Sequence, residues 1–197
     1  MKFFQKIQRV TQNPEKFFKT IKKETLGSAF LFWLVFVLIR SLIVGRAYNL
    51  TTILNLNPIS LYIFLMISGL VGFFVITGVI HLLLHLFKGK GKYKDTVIGY
   101  VYGAVPSLLM GICLAFIFLL MSQSLKANLF VVIISQLLSL SAMVYSIYLT
   151  TIGFSIYHEI SRGKALAAYL LAIAIPIIFI IILAFIFAGI ILAMGGI

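Results

Sequence analysis

Acidic residues are nearly missing from this chain: four aspartates and glutamates stand against sixteen lysines and arginines in 197 residues. Charge of either sign is scarce, at 10% of residues, while 62% are hydrophobic and the mean hydropathy is +1.18. That balance excludes a water-soluble globule, which needs a far more polar surface, and makes the bilayer the solvent. One cysteine, Cys113, excludes an intrachain disulfide and a cysteine cluster for metal. There is no Gly-Xaa-Ser-Xaa-Gly elbow, no His-Glu-Xaa-Xaa-His, no intramembrane aspartate pair and no phosphate-binding glycine loop. Membrane hydrolases and nucleotide enzymes therefore lose their working residues, and neither catalysis nor a cofactor is expected. No continuous apolar core with a small-residue cleavage site occurs in the first twenty-five residues, so the first membrane segment is expected to be retained.

What is present organises itself around the few charges. Lengths of about 20 apolar residues suit one helical span. On that basis the fold class is all-α, a polytopic membrane protein with five transmembrane helices over residues 26–197. Spans are predicted at about 26–48, 61–87, 96–122, 129–157 and 165–194. Residues 1–25 are read as a basic, amphipathic, cytoplasmic segment. Phe3, Phe4, Ile7 and Val10, then Phe17, Phe18 and Ile21, fall on helical faces opposite lysines. Asn13-Pro14-Glu15 reads as an N-cap, a first-turn proline and an acid at the positive helix end. Such a segment lies along the headgroup plane; the alternative is a frayed basic tail.

Seven basic residues precede the first span, Lys88, Lys90, Lys92 and Lys94 follow the second, and Arg162 and Lys164 follow the fourth. Only Arg40, Arg46 and Lys126 lie elsewhere. This asymmetry predicts a multi-pass protein of the cell membrane with its N-terminus cytoplasmic and its C-terminus on the opposite side. The net charge of +12 is thereby explained by anionic lipid beside the spans, not by nucleic acid. The linker Asn49 to Ser60 suits a short outer loop, and the long last run predicts tilt or a kink at Pro176.

Within the spans, Gly99, Gly103, Ser107 and Gly111 recur at four-residue steps, and Ser135, Ser139, Ala142, Ser146, Thr150 and Gly153 at steps of three or four. Small faces of this kind are packing seams, with a hydroxyl-lined substrate path as the alternative. Arg40 lies within the first span, where a charge is costly and no acid accompanies it. It either snorkels or bonds a neighbouring helix, or it marks a solute or lipid-phosphate site. His81 and His85 share one helix face; without a local acid or cysteine they read as packed or hydrogen-bonded interfacial histidines before they read as metal ligands. His158 would join them only if the second and fourth spans are neighbours. The loop Lys88-Gly89-Lys90-Gly91-Lys92 lacks the Gly-Lys-Ser/Thr ending of a phosphate loop. Its lysines hold the turn against the inner leaflet, and its glycines let a short loop reverse.

Four stretches carry a resemblance: Asn13-Pro14-Glu15-Lys16-Phe17-Phe18, the Gly-Lys turn before Tyr93-Lys94-Asp95-Thr96, Gly99-Tyr100 to Ala104-Val105-Pro106, and Ile152-Gly153-Phe154 to Ser161-Arg162-Gly163-Lys164-Ala165. In this order they resemble the Yip domain family, the Rab-GTPase-interacting membrane proteins. The resemblance implies five spans in the same order, a cytoplasmic N-terminal region and no known catalysis. Eukaryotic relatives act in early secretory membranes, bind small GTPases and carry a long, often acidic or proline-rich cytoplasmic N-terminal region. Here that region is short and basic, closer to prokaryotic members.

The expected function is therefore non-enzymatic: organising membrane, or docking a protein or lipid partner at a basic cytoplasmic face built from Lys88, Lys90, Lys92, Lys94, Arg162 and Lys164. The partners expected are anionic headgroups and either another protein or a second copy of the chain. The alternative is a small transporter or channel for an ion or small solute, with Arg40, His81, His85 and the hydroxyls of the fourth span along its path.

Overall fold

A computed structural model describes residues 2–47, 57–126 and 128–194. The expected linker Asn49 to Ser60 lies largely outside the described residues. Two short helices, α1 (Phe3–Gln12) and α2 (Pro14–Thr20), lead through a 3-10 turn (Ile21–Lys23) into α3 (Leu26–Ala47). Then come α4 (Pro58–Leu86), the pair α5 (Tyr93–Gly103) and α6 (Val105–Leu120), the single turn α7 (Gln123–Lys126), α8 (Leu129–His158) and α9 (Arg162–Met194). Among the described residues there is no strand. Four helices are long and apolar enough to cross a membrane, and the α5–α6 pair makes a fifth when it is counted as one span.

Several helices begin ahead of the apolar run that predicted them, because polar caps extend them. Asn57 Oδ1 accepts the Ser60 N–H at 2.8 Å ahead of Pro58, and Asp95 Oδ2 accepts the Lys92 N–H at 2.8 Å at the start of α5. Asn13 likewise caps α2, accepting the Lys16 N–H at 3.2 Å.

α5 and α6 meet at 42°. Pro106 is the cause, since it offers no N–H to the Tyr102 carbonyl and its ring crowds that oxygen. The next N–H, that of Ser107, donates to Ser146 Oγ on α8 at 3.0 Å, and Ser107 Oγ also reaches Ser146 Oγ at 2.8 Å and the Ala142 carbonyl at 3.2 Å. The break thus sits where a neighbouring helix supplies hydrogen bonds to the loosened backbone. Pro176, where a kink was expected, lies inside α9, which continues as one helix.

The small-residue faces meet as a seam between α5 and α8. A Cβ on Gly103 would stand 2.1 Å from Thr150 Oγ1 and 2.5 Å from Thr150 Cα, and one on Gly99 would stand 2.8 Å from the Phe154 ring. Only glycine admits backbones this close. Gly111, two steps beyond Gly103 along the stripe, has nothing within 4 Å of that position.

The N-terminal helices fold back onto this seam. Val10, Phe17, Phe18 and Ile21 are buried in one apolar cluster with Phe32, Trp33, Tyr102, Ile152 and Tyr157. Phe18 lies against Gly153, and its carbonyl accepts from the Tyr157 hydroxyl at 3.0 Å. The Thr11 carbonyl accepts from Tyr145 at 2.7 Å. The apolar face read as lying in the headgroup plane is therefore mostly covered by the bundle; Phe4, 80% exposed, is the exception.

Candidate functional site

The charged residues gather at one end of the bundle, where the arm, the α4–α5 loop and the α8–α9 turn come together. All four acids of the sequence are engaged there. Glu15 pairs with Arg162, Glu159 with Lys90 at 3.4 Å, and Asp95 caps α5. Glu24 has the most partners: it pairs with Lys6 and accepts from Ser28 Oγ at 2.6 Å and Tyr102 Oη at 2.7 Å. Lys6 Nζ donates in turn to Tyr102 Oη at 2.9 Å and stands 5.4 Å from the centre of that ring. Burial pushes the Glu24 carboxyl up, but hydrogen bonds from Lys6, Ser28 and Tyr102 together with the Lys6 charge outweigh it and hold the group below its ordinary value. With the acids so placed, Lys16, Lys19, Lys22, Lys23, Lys88 and Lys92 remain exposed cations on the same end.

The loop itself departs from its expected mechanics. None of the described glycines has positive φ; the left-handed residues are Lys88 (φ 67°) and Glu159 (φ 54°). Gly89 and Gly91 are required for space instead. A Cβ on Gly91 would lie 2.8 Å from His158 Nδ1, and one on Gly89 would lie 2.8 Å from the Leu84 carbonyl. The loop lies over His158, and the Lys90 N–H donates to the His158 carbonyl at 3.0 Å.

His158 is fully buried and does join the pair on α4. Thr96 Oγ1 stands between the rings, 2.9 Å from His81 Nδ1 and 2.9 Å from His158 Nε2. Between two neutral imidazoles this hydroxyl donates to one nitrogen and accepts from the other, and because it meets Nδ1 of His81 and Nε2 of His158 both rings carry the same tautomer. The His81 and His85 ring centres are 4.5 Å apart, and His85 reaches the exposed edge. His158 Nδ1 has no hydrogen-bond partner, and among the described residues no set of three or more His, Cys, Asp or Glu is arranged to hold a metal ion.

Arg40 is not part of this cluster. It lines a cavity between α3 and α4 together with Ser41, Ser68 and Tyr100. The fourth-span hydroxyls lie elsewhere again, with Ser146 on Ser107 and Thr150 against Gly103. Three residues received no site role from the sequence. Lys6 and Tyr102 are 96 positions apart, and no local spacing announces their contact. Thr96 is marked only in retrospect, as the one aliphatic hydroxyl of the first turn of α5.

The Yip1 domain matches residues 9–186 of the chain. An uncharacterised protein of Methanocaldococcus jannaschii is 33% identical over 110 residues, covering 49% of this chain and 76% of the archaeal one. No solved structure matches. The match takes in the arm from Arg9, the glycine seam, the lysine loop and most of α9, and on it the chain belongs to the Yip1 domain family.

Proposed function

We propose that this is a non-enzymatic integral membrane protein that docks anionic lipid or a partner protein's acidic surface at its basic face, with that face cytoplasmic. One observation carries the reading: every acid in the sequence is already engaged at this end, so exposed Lys16, Lys19, Lys22, Lys23, Lys88 and Lys92 have no aspartate or glutamate left to neutralise them. Cations so arranged attract an anionic surface by about 1 kcal/mol each. The packed arm adds rigidity, presenting its lysines from a fixed helix.

The experiment is binding of the reconstituted protein to vesicles with and without anionic lipid, comparing the parent with a variant in which Lys88, Lys90, Lys92 and Lys94 are all glutamine. Binding to anionic vesicles should fall steeply and lose its salt dependence while thermal stability holds. Unchanged binding would remove the role from this loop. Co-purification from native membranes then separates a lipid surface from a protein partner. Orientation has its own check: a cysteine at position 197, in a Cys113→Ser background, should label only from outside the cell.

A further inference from the structure

The cavity between α3 and α4 has a volume of about 510 Å³, within the range of roughly 300–1,000 Å³ common for small-ligand sites. Its walls are Trp33, Val37, Leu65 and Phe73, with Arg40 and Tyr100 as its polar groups beside two serines. Gly69 and Gly72 open the α4 wall, and a Cβ on Gly72 would meet nothing within 4 Å. Arg40 lies seven residues before the end of α3 at Ala47, about 10 Å along the helix axis. It therefore stands toward the end of the bundle away from the lysine loop. No aspartate or glutamate is available to its charge, because all four acids of the chain are engaged at the other end. An arginine inside a span is costly unless it reaches headgroups or meets an anion, and guanidinium bonds phosphate in a bidentate fork.

We propose that the α3–α4 cavity binds one anionic phospholipid from the leaflet opposite the lysine loop, with the headgroup phosphate on Arg40 and an acyl chain laid along Val37, Leu65 and the packed Trp33–Phe73 pair. Charge selects the headgroup here, and the apolar walls take the chain. The site is separate from the basic face and does not depend on its role.

Trp33 is the sole tryptophan and lines the cavity, so its fluorescence reports occupancy directly. The protein is reconstituted in bilayers containing acyl-brominated phosphatidylglycerol or acyl-brominated phosphatidylcholine at equal mole fraction. Trp33 should be quenched at a lower fraction of the anionic lipid, and Arg40→Gln should shift that midpoint roughly tenfold, as expected for one charge-assisted hydrogen bond. Arg40→Lys should retain most of the preference. Gly72→Leu, which fills the cavity and leaves the cation in place, should reduce quenching by both lipids. The four-lysine loop variant should leave the Trp33 midpoint unchanged, which keeps this site distinct from the basic face. Equal quenching by the two lipids in the parent protein, or a preference that survives Arg40→Gln, would overturn the proposal.

Discussion

α5 buries eight of its eleven residues, whereas along α8 from Leu129 to Ser141 only Ser135 is buried. Both segments lie in membrane helices, and the exposed one is the more uniformly apolar. Hydrophobicity thus does not decide which is covered, since lipid tails solvate leucine as well as a neighbouring helix does. What α5 has and the start of α8 lacks is a run of glycines at four-residue steps facing small partners, with polar side chains at its lysine-rich end that find each other. The other half of the bundle keeps bulky apolar side chains toward lipid and leaves a cavity around Arg40.

The contrast breaks most sharply at the seam. Gly103→Leu forces a side chain onto the Thr150 backbone and should cost about 3 kcal/mol or more, read as the loss of reversible unfolding in mixed micelles. Next comes the enclosed charge network. Lys6→Met leaves Glu24 without its cation and should destabilise by about 2 kcal/mol, with Glu24→Leu in the same background restoring part of the loss. The same network has a pH signature. Because the Glu24 carboxyl is held below its ordinary value, its stabilisation is complete above about pH 4.3 and is lost as the pH falls through the depressed value. Unfolding midpoints measured from pH 6 down to pH 3 should drop in the parent protein and drop less in Glu24→Gln. The smallest effect belongs to the open end of the stripe: Gly111→Ala meets nothing within 4 Å and should stabilise by about 0.5–1 kcal/mol through helix propensity alone. A loss at Gly111 comparable to that at Gly103 would mean that the seam extends the whole length of the helix.

Much of this was legible from residue order. Periodicity and apolar length located the helices, and the glycine and serine steps marked two packing faces, because both are local properties of a helix; that the two faces meet each other is seen only in the fold. The Asn13 cap was readable for the same reason. The arm's docking was not. Phe17 and Phe18 look identical whether their cover is lipid or the faces of Tyr102 and Tyr157, and that choice rests on residues far along the chain. The histidine cluster failed in the same way: His81 and His85 carry a visible spacing, while His158 and Thr96 arrive through topology. Pro106 and Pro176 show a third kind of limit. Both remove a backbone donor, but the chain breaks beside the one whose loosened turn faces Ser146.

The tie between Tyr157 and the Phe18 carbonyl spans 139 residues. At about 5–20 residues per second, a ribosome takes roughly 7–28 s to travel that distance. The arm is thus made early and seated late. Until Tyr102 and then Tyr157 are made, Phe17 and Phe18 lack the rings that cover them in the finished bundle, and the headgroup region is an apolar shelter close by. An amphipathic face of this kind favours the headgroup plane while it is uncovered, and the same face is the one that the finished bundle packs against its fourth span.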